Sequence, residues 1–319
     1  MSLWKLRLSL IGTLAIIIGL STLFFTVILS LTGLFSYLTL GIFVVAFSLF
    51  QWLIAPYLID AIYRVRQVSK SDEPKLVKMV EQLSQKSGIK TPKVMIAKIP
   101  LPNAFAYSSP IAGSRVAVTE GLLKTLDSEE VEAVVGHELG HLKHRDVQVM
   151  MFVSILPALF YYIGFSMLLS SRYSRDERNG GTAVIGIVSI ALYWILTLFT
   201  LYISRLREYF ADRHSATIVE DGPRKLSEGL AKIVYASKNM KKTHRNMGSL
   251  HSFKTLFISD PDRAEADATS ITHMSTRLGD QKLVEEVLRK QVTTLDKIAE
   301  VFSTHPNIVK RLRALKELA

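Results

Sequence analysis

The 319-residue sequence contains no cysteine, which excludes disulfides and thiolate metal sites and fits a reducing compartment. It also lacks an RNP motif, zinc-finger spacing and any basic helix carrying heptads. Its net charge of +11 and pI of about 9.7 are therefore not read as nucleic-acid binding. Internal repeats and low-complexity tracts are absent too. Charge itself is missing from four long runs, Leu8–Leu31, Leu34–Ile59, Val149–Leu169 and Thr182–Ile203. Each reaches the roughly 20 apolar residues that cross a bilayer. Elsewhere the chain is hydrophilic, so 49% hydrophobic and 21% charged residues coexist with a mean hydropathy of +0.25. That mixture argues against a fully soluble protein.

The first run follows Lys5 and Arg7, as a signal peptide would, but it is too long for a typical h-region and lacks a small-residue cleavage site. It reads as a retained span. Lys5, Arg7, Arg64, Arg66, Lys70, Lys143, Arg145, Arg205, Arg207 and Arg213 flank one set of span ends. The other side carries an uncharged turn at Thr32 and Gly33, and a loop where Asp176 and Glu177 partly offset Arg172, Arg175 and Arg178. The excess of positive charge on cytoplasmic flanks places both termini in the cytoplasm. The expected order is a transmembrane hairpin over 1–59, a cytoplasmic block over 60–148, a second hairpin over 149–203 and a second cytoplasmic block over 204–319. The two hydrophilic blocks then form one domain interrupted by a membrane hairpin, with the lipid bilayer as a constant partner.

Within the first block, Leu76, Val77, Val80 and Leu83 give Glu73–Lys86 the spacing of an amphipathic helix ending near Gly88. "KVMIA" and "RVAVT" read as short strands, and "PLPNAFAYSSPIAGS" between them reads as a turn region. Asp127 can cap the next helix with Glu130 reaching back. Helices are expected near 205–220, 224–239, 281–302 and 306–318, with 240–278 as an excursion. The fold expected is predominantly α, with a small β-sheet.

His137, Glu138 and His141 spell HExxH. Four residues apart on a helix, the two imidazoles share a face and can grip one ion. The intervening glutamate can take a proton from a zinc-activated water. The plain alternative is a charged helix face without metal, but this helix is otherwise apolar. Zinc needs a third protein ligand with a fourth position open. A metzincin would require a glycine at position 144 and a histidine at 147; His144 and Val147 exclude that class. In "SRLREYFADRHSA", Glu208 is the best third ligand, with Asp212 four residues on as support for a ligand histidine. His214 is an alternative ligand, and ordinary ion pairs of Glu208 with Arg205 or Asp212 with Arg213 remain open. His141 lies eight residues before the third run, about 12 Å of helix. Glu208 lies five after the fourth, about 7 Å. Both halves of such a site leave the membrane on one side.

HELGH before the third run and EYFAD after the fourth resemble the HtpX family of membrane zinc metalloproteases, gluzincin-like and related to the CAAX prenyl proteases. The resemblance covers essentially the whole chain. It implies a cytoplasmic zincin-like catalytic domain holding one Zn2+. It also implies that "PNAFA" forms an edge strand beside the zinc, where Asn103, Ala104 and Phe105 meet substrate. "THPNIVKR" is similar to the family's THPxxxxR element, which places His305 and Arg311 by the cleft as oxyanion or substrate contacts. Family members often have a second proline after HP, where this chain has Asn307. The implied activity is endopeptidase cleavage of misfolded or damaged membrane proteins, or of unfolded polypeptides, at the cytoplasmic face. Two other functions stay in view: a site-specific processing peptidase for membrane or lipidated substrates, and a non-catalytic partner-binding module. The intact Glu138 speaks against the latter, because a structural zinc site needs no base. The remaining histidines, His144, His244, His251 and His273, read as surface residues. Nothing in the sequence sets an oligomeric state.

Overall fold

The computed structural model describes residues 36–173, 180–243 and 280–319. The expected first span, Leu8–Leu31, lies outside the described residues, as do the loop charges Arg175, Asp176, Glu177 and Arg178 and most of 240–278. Ten described helices and four strands follow in the order α1 (Tyr37–Ile62), β1 (Val65–Gln67), α2 (Pro74–Ser87), β2 (Lys93–Ala97), β3 (Ala104–Ser109), β4 (Gly113–Thr119), α3 (Glu120–Thr125), α4 (Ser128–Lys143), α5 (Asp146–Tyr173), α6 (Gly180–Ile218), α7 (Gly222–Thr243), α8 (Asp280–Leu288), α9 (Thr294–Val301) and α10 (Ile308–Lys316). Helices α1, α5 and α6 are long and apolar enough to cross a membrane.

The chain divides into two compact units. One takes in the described residues up to Trp52 together with Val149–Thr200; the other is Leu53–Gln148 with Leu201–Ala319. In the first unit, Leu40 and Val44 of α1 pack with Ala158, Leu159 and Tyr162 of α5. Helices α5 and α6 meet at two glycines: a Cβ on Gly164 would stand 2.9 Å from the Gly186 carbonyl oxygen. Small residues let apolar helices approach this closely where no hydrophobic force drives them together.

The second unit is built around a mixed sheet in the order β1-β2-β4-β3. β1 is antiparallel to β2, β2 parallel to β4, and β3 antiparallel to β4. Strand alternation sends residues to opposite faces. Val94, Ile96, Ala104, Val116 and Val118 join the main core with residues of α2, α4, α7 and α10. Met95, Ala97, Phe105, Tyr107 and Ala117 form a second cluster with Tyr63, Ile99 and Leu101.

Helix α2 matches the amphipathic pattern, and Gly88, at φ 64°, closes it in the left-handed conformation that glycine tolerates best. The capping box of α4 is formed, Asp127 and Glu130 each satisfying the other's backbone. Two expectations are corrected. The region read as a turn from its composition contains β3, the strand that the likeness of PNAFA implied, since its small residues conceal a strand that is buried on both faces. The expected helix over 281–302 is two helices, because Thr293 and Asp296 form a capping box that starts α9 afresh.

Candidate metal centre

The site lies within the second unit and is carried by α4 and α6. Two glycines set the approach of these helices. A Cβ on Gly140 would stand 3.0 Å from Ala211 Cα and 3.3 Å from its carbonyl oxygen, and one on Gly136 would stand 3.1 Å from Ser215 Oγ. Ser215 Oγ also donates to the Ala133 carbonyl at 2.6 Å. In "GHELGH" the glycines therefore clear the face next to the histidines, so that α6 can bring Glu208 against them.

His137, His141 and Glu208 each offer an atom, and these three lie within 4.8 Å of one another. The two Nε2 atoms are 3.1 Å apart. His137 Nε2 is 3.7 Å from Glu208 Oε2, and His141 Nε2 is 3.6 Å from Glu208 Oε1. Tetrahedral zinc with bonds near 2.05 Å separates its ligand atoms by about 3.3 Å, so the donor set fits such an ion.

The far side of each imidazole strengthens the fit. His141 Nδ1 donates to Asp146 Oδ2 at 2.6 Å, and His137 Nδ1 lies 2.9 Å from Asp212 Oδ1. A carboxylate beside each Nδ1 favours the tautomer protonated there, which turns the two Nε2 lone pairs toward each other, an arrangement a cation relieves. Each aspartate is held in turn by an arginine. Arg311 donates to Asp212 from Nε at 2.9 Å and from Nη2 at 2.6 Å, and Arg207 pairs with Asp146. The carboxyl groups of Glu138, Asp146, Glu208 and Asp212 outnumber the guanidinium groups of Arg207 and Arg311 by two. A divalent cation balances that excess.

Arg311 is only 1% exposed. Besides Asp212 it touches Glu208 Oε2 from Nη1 at 3.0 Å. Burial would lower its pKa, but the Asp212 and Glu208 carboxylates outweigh that and raise it above the usual arginine range. With its fork turned onto two carboxylates, Arg311 sits behind the candidate ligands. His305 is buried, with Nδ1 3.3 Å from Glu208 Oε1. Asn307 takes the N-cap of α10, its side chain accepting from Val309 N at 2.9 Å, so the THPN turn needs no second proline. Glu138 is buried one residue along α4 from His137.

His214, the alternative ligand, is elsewhere: its Nε2 lies 2.9 Å from Ser87 Oγ. The ordinary pairs of Glu208 with Arg205 and Asp212 with Arg213 give way to Arg311. Asn103 is buried, its N–H donating to Thr119 Oγ1 and its carbonyl accepting from Thr119 N, each at 2.9 Å. Ala104 and Phe105 point into the two opposite cores, and β3 is one of the two terminal strands of the sheet among the described residues.

Asp146 and Arg207 were not singled out by sequence reasoning. Arg145 at φ 56° turns the chain between α4 and α5 so that Asp146 faces back to His141. An aspartate starting a helix reads as a cap, and Arg207 reads as a membrane-flanking charge. A second carboxylate cluster, Asp127, Glu130 and Asp280, is closed by Lys232 Nζ at 2.8–3.1 Å.

Comparison with known proteins agrees with this geometry. The family model of peptidase family M48 matches residues 70–319. A "Protease HtpX homolog" of Aeropyrum pernix is 39% identical over 317 residues, 98% of this chain and 96% of that protein. One from Thermoplasma acidophilum is 36% identical over 285 residues, 88% of this chain and 84% of that protein. The crystal structure of S. mikatae Ste24p is similar in fold, with a TM-score of 0.57 at 16% identity, over 98% of this chain and 66% of that one. The likeness carried by HELGH and EYFAD thus extends along the chain, which belongs to peptidase family M48, among its HtpX-like metalloproteases.

Proposed function

We propose that the protein is a zinc endopeptidase of the cell membrane, crossing it several times with both termini and the active site cytoplasmic. It hydrolyses peptide bonds of misfolded or damaged membrane proteins. The observation that carries this reading is the donor set of His137, His141 and Glu208, at separations of 3.1–3.7 Å that suit one zinc ion.

Those three residues hold the metal. Zinc supplies Lewis acidity toward the attacking water and the scissile carbonyl. Glu138 accepts the water's proton and passes it to the leaving amine. Asp146 and Asp212 fix the tautomer and tilt of the two imidazoles. His305, beside Glu208, is the donor to the developing oxyanion. Arg311 orients Glu208 and Asp212 instead of contacting substrate. The substrate backbone pairs along the outer edge of β3 from Ala104 onward, a mode in which main-chain bonds give affinity with little demand on sequence. That suits a protease for misfolded chains. The cytoplasmic orientation is supported by the Lys and Arg residues flanking the apolar runs.

The test is cleavage of a loosely folded polypeptide by the detergent-purified protein. Cleavage that is lost to a chelator and restored by zinc fits the reading; cleavage indifferent to chelation contradicts it.

A further inference from the structure

Helix α9 presents an apolar face that the described structure leaves uncovered. Leu295 is 77% exposed, Ile298 52%, Val301 41% and Phe302 43%. Spaced three and four apart, they lie on one side of the helix. Contiguous apolar surface of this kind on a soluble face marks a binding site. The opposite side is committed to the protein: Glu300 is buried against Lys310, and Asp296 closes the capping box with Thr293. That leaves Lys297 as the exposed charge of the helix.

Arg205 fixes the height of α9. Its Nη1 donates to the carbonyls of Glu300, Val301 and Ser303 at 2.8, 3.1 and 2.8 Å, holding the C-terminal end of α9. Arg205 stands two residues beyond Ile203, where the apolar run of α6 ends, about 3 Å along the helix. On α6 itself, Tyr202, Leu206 and Phe210 are exposed in one line, and the Arg205 guanidinium lies 5.8 Å from the Tyr202 ring centre. Tyrosine and arginine at such a level mark the headgroup region of a bilayer.

We infer that α9 is an interfacial helix whose Leu295, Ile298, Val301 and Phe302 face enters the boundary between lipid headgroups and acyl chains. The inference rests on the reading that α6 spans a bilayer. An amphipathic helix of this kind lies in the plane of the interface with its apolar side about 5–10 Å deep. Lys297 then meets anionic headgroups. His305 follows Phe302 by three residues and reaches Glu208, so α9 ties the candidate metal centre to the lipid surface. A site docked in this way meets chains as they emerge from the membrane.

The absence of native cysteine permits single-cysteine labelling of the full protein. Leu295→Cys and Ile298→Cys carry an environment-sensitive fluorophore in vesicles of phosphatidylcholine and phosphatidylglycerol. Phe199→Cys on α6 reports the span, and Lys78→Cys on α2 reports water. Leu295 is so exposed that its replacement does not endanger folding. The expected result is blue-shifted emission at 295 and 298, with quenching by a nitroxide borne high on the lipid acyl chain and resistance to aqueous iodide. Strong iodide quenching at 295 and 298, with lipid quenching at 199 intact, overturns the inference while leaving the span. Shielding from both quenchers also overturns it, since another protein surface then covers α9. Loss of lipid quenching at 199 contradicts the membrane reading itself, and the inference falls with it.

Discussion

His141 Nδ1 donates to Asp146 Oδ2 across 2.6 Å, and Asp146 is paired in turn with Arg207. On the other ligand histidine, Asp212 and Arg311 repeat the arrangement. Two arginine-aspartate couples thus brace two imidazoles from behind, one at the start of α5 and one on α6 and α10. In each case an aspartate that could have been a surface charge is buried for an orienting role.

Replacing Asp146 with asparagine keeps the shape but removes the charge that favours the Nδ1–H tautomer. Loss of such a supporting carboxylate typically weakens metal binding by about 10–100-fold. Chelator competition against the purified protein reads this directly. Unchanged zinc affinity in both Asp146→Asn and Asp212→Asn would remove the orienting role.

Arg311→Met leaves Glu208 and Asp212 buried without their cation. Breaking a buried pair from one side costs about 3–5 kcal/mol, so thermal unfolding should shift strongly downward. Arg311→Lys keeps the charge but loses the two-pronged bond to Asp212, and its stability is expected to fall between the two. A variant as stable as wild type would place Arg311 outside the support of the site.

Gly140→Ala forces a methyl against Ala211 Cα and its carbonyl oxygen, both backbone atoms. Overpacking typically costs about 1–3 kcal/mol. Here it also moves α4 from α6, so zinc affinity should fall together with thermal stability. Gly136→Ala meets the movable side chains of Val219 and Ser215 and should be milder in both readouts.

Much of this was readable from the residues, for identifiable reasons. The helix of HELGH announces itself through Asp127 and Glu130, a local signal that needs no tertiary partner. Periodicity reveals α2 because its buried face repeats at helical spacing. Strand β3 was implied only by the likeness of PNAFA, because Ala104, Ala106, Ser108 and Ser109 look like turn residues, and their burial depends on α4 and the second core. The break before α9 was present as Thr293 and Asp296 but was masked by apolar spacing that continues across it. Asp146 and Arg207 were illegible for a deeper reason. Their roles depend on the left-handed residue Arg145 and on the meeting of α5 with α6, which no local pattern encodes. Arg311 was implied as a cleft contact by the likeness of THPNIVKR, and its hold on Asp212, 99 positions earlier in the chain, exists only in the fold.

Metal removal supplies a further check. Without zinc, the bare Nε2 atoms of His137 and His141 and the surplus negative charge are uncompensated. Chelated protein should therefore unfold at a lower temperature, and added zinc should restore it, in proportion to the logarithm of zinc concentration over the dissociation constant. Equal melting with and without zinc would mean that the site does not hold the ion in the folded state.

The most direct test of the central claim is Glu138→Gln, compared with wild type at matched zinc content on a loosely folded substrate. The substitution preserves size and zinc ligation while removing the base. General base catalysis contributes about 10²–10⁴-fold, so cleavage should fall by that factor with zinc binding unchanged. Equal cleavage by the two proteins would contradict the assignment of Glu138 and, with it, the peptidase mechanism drawn from this site.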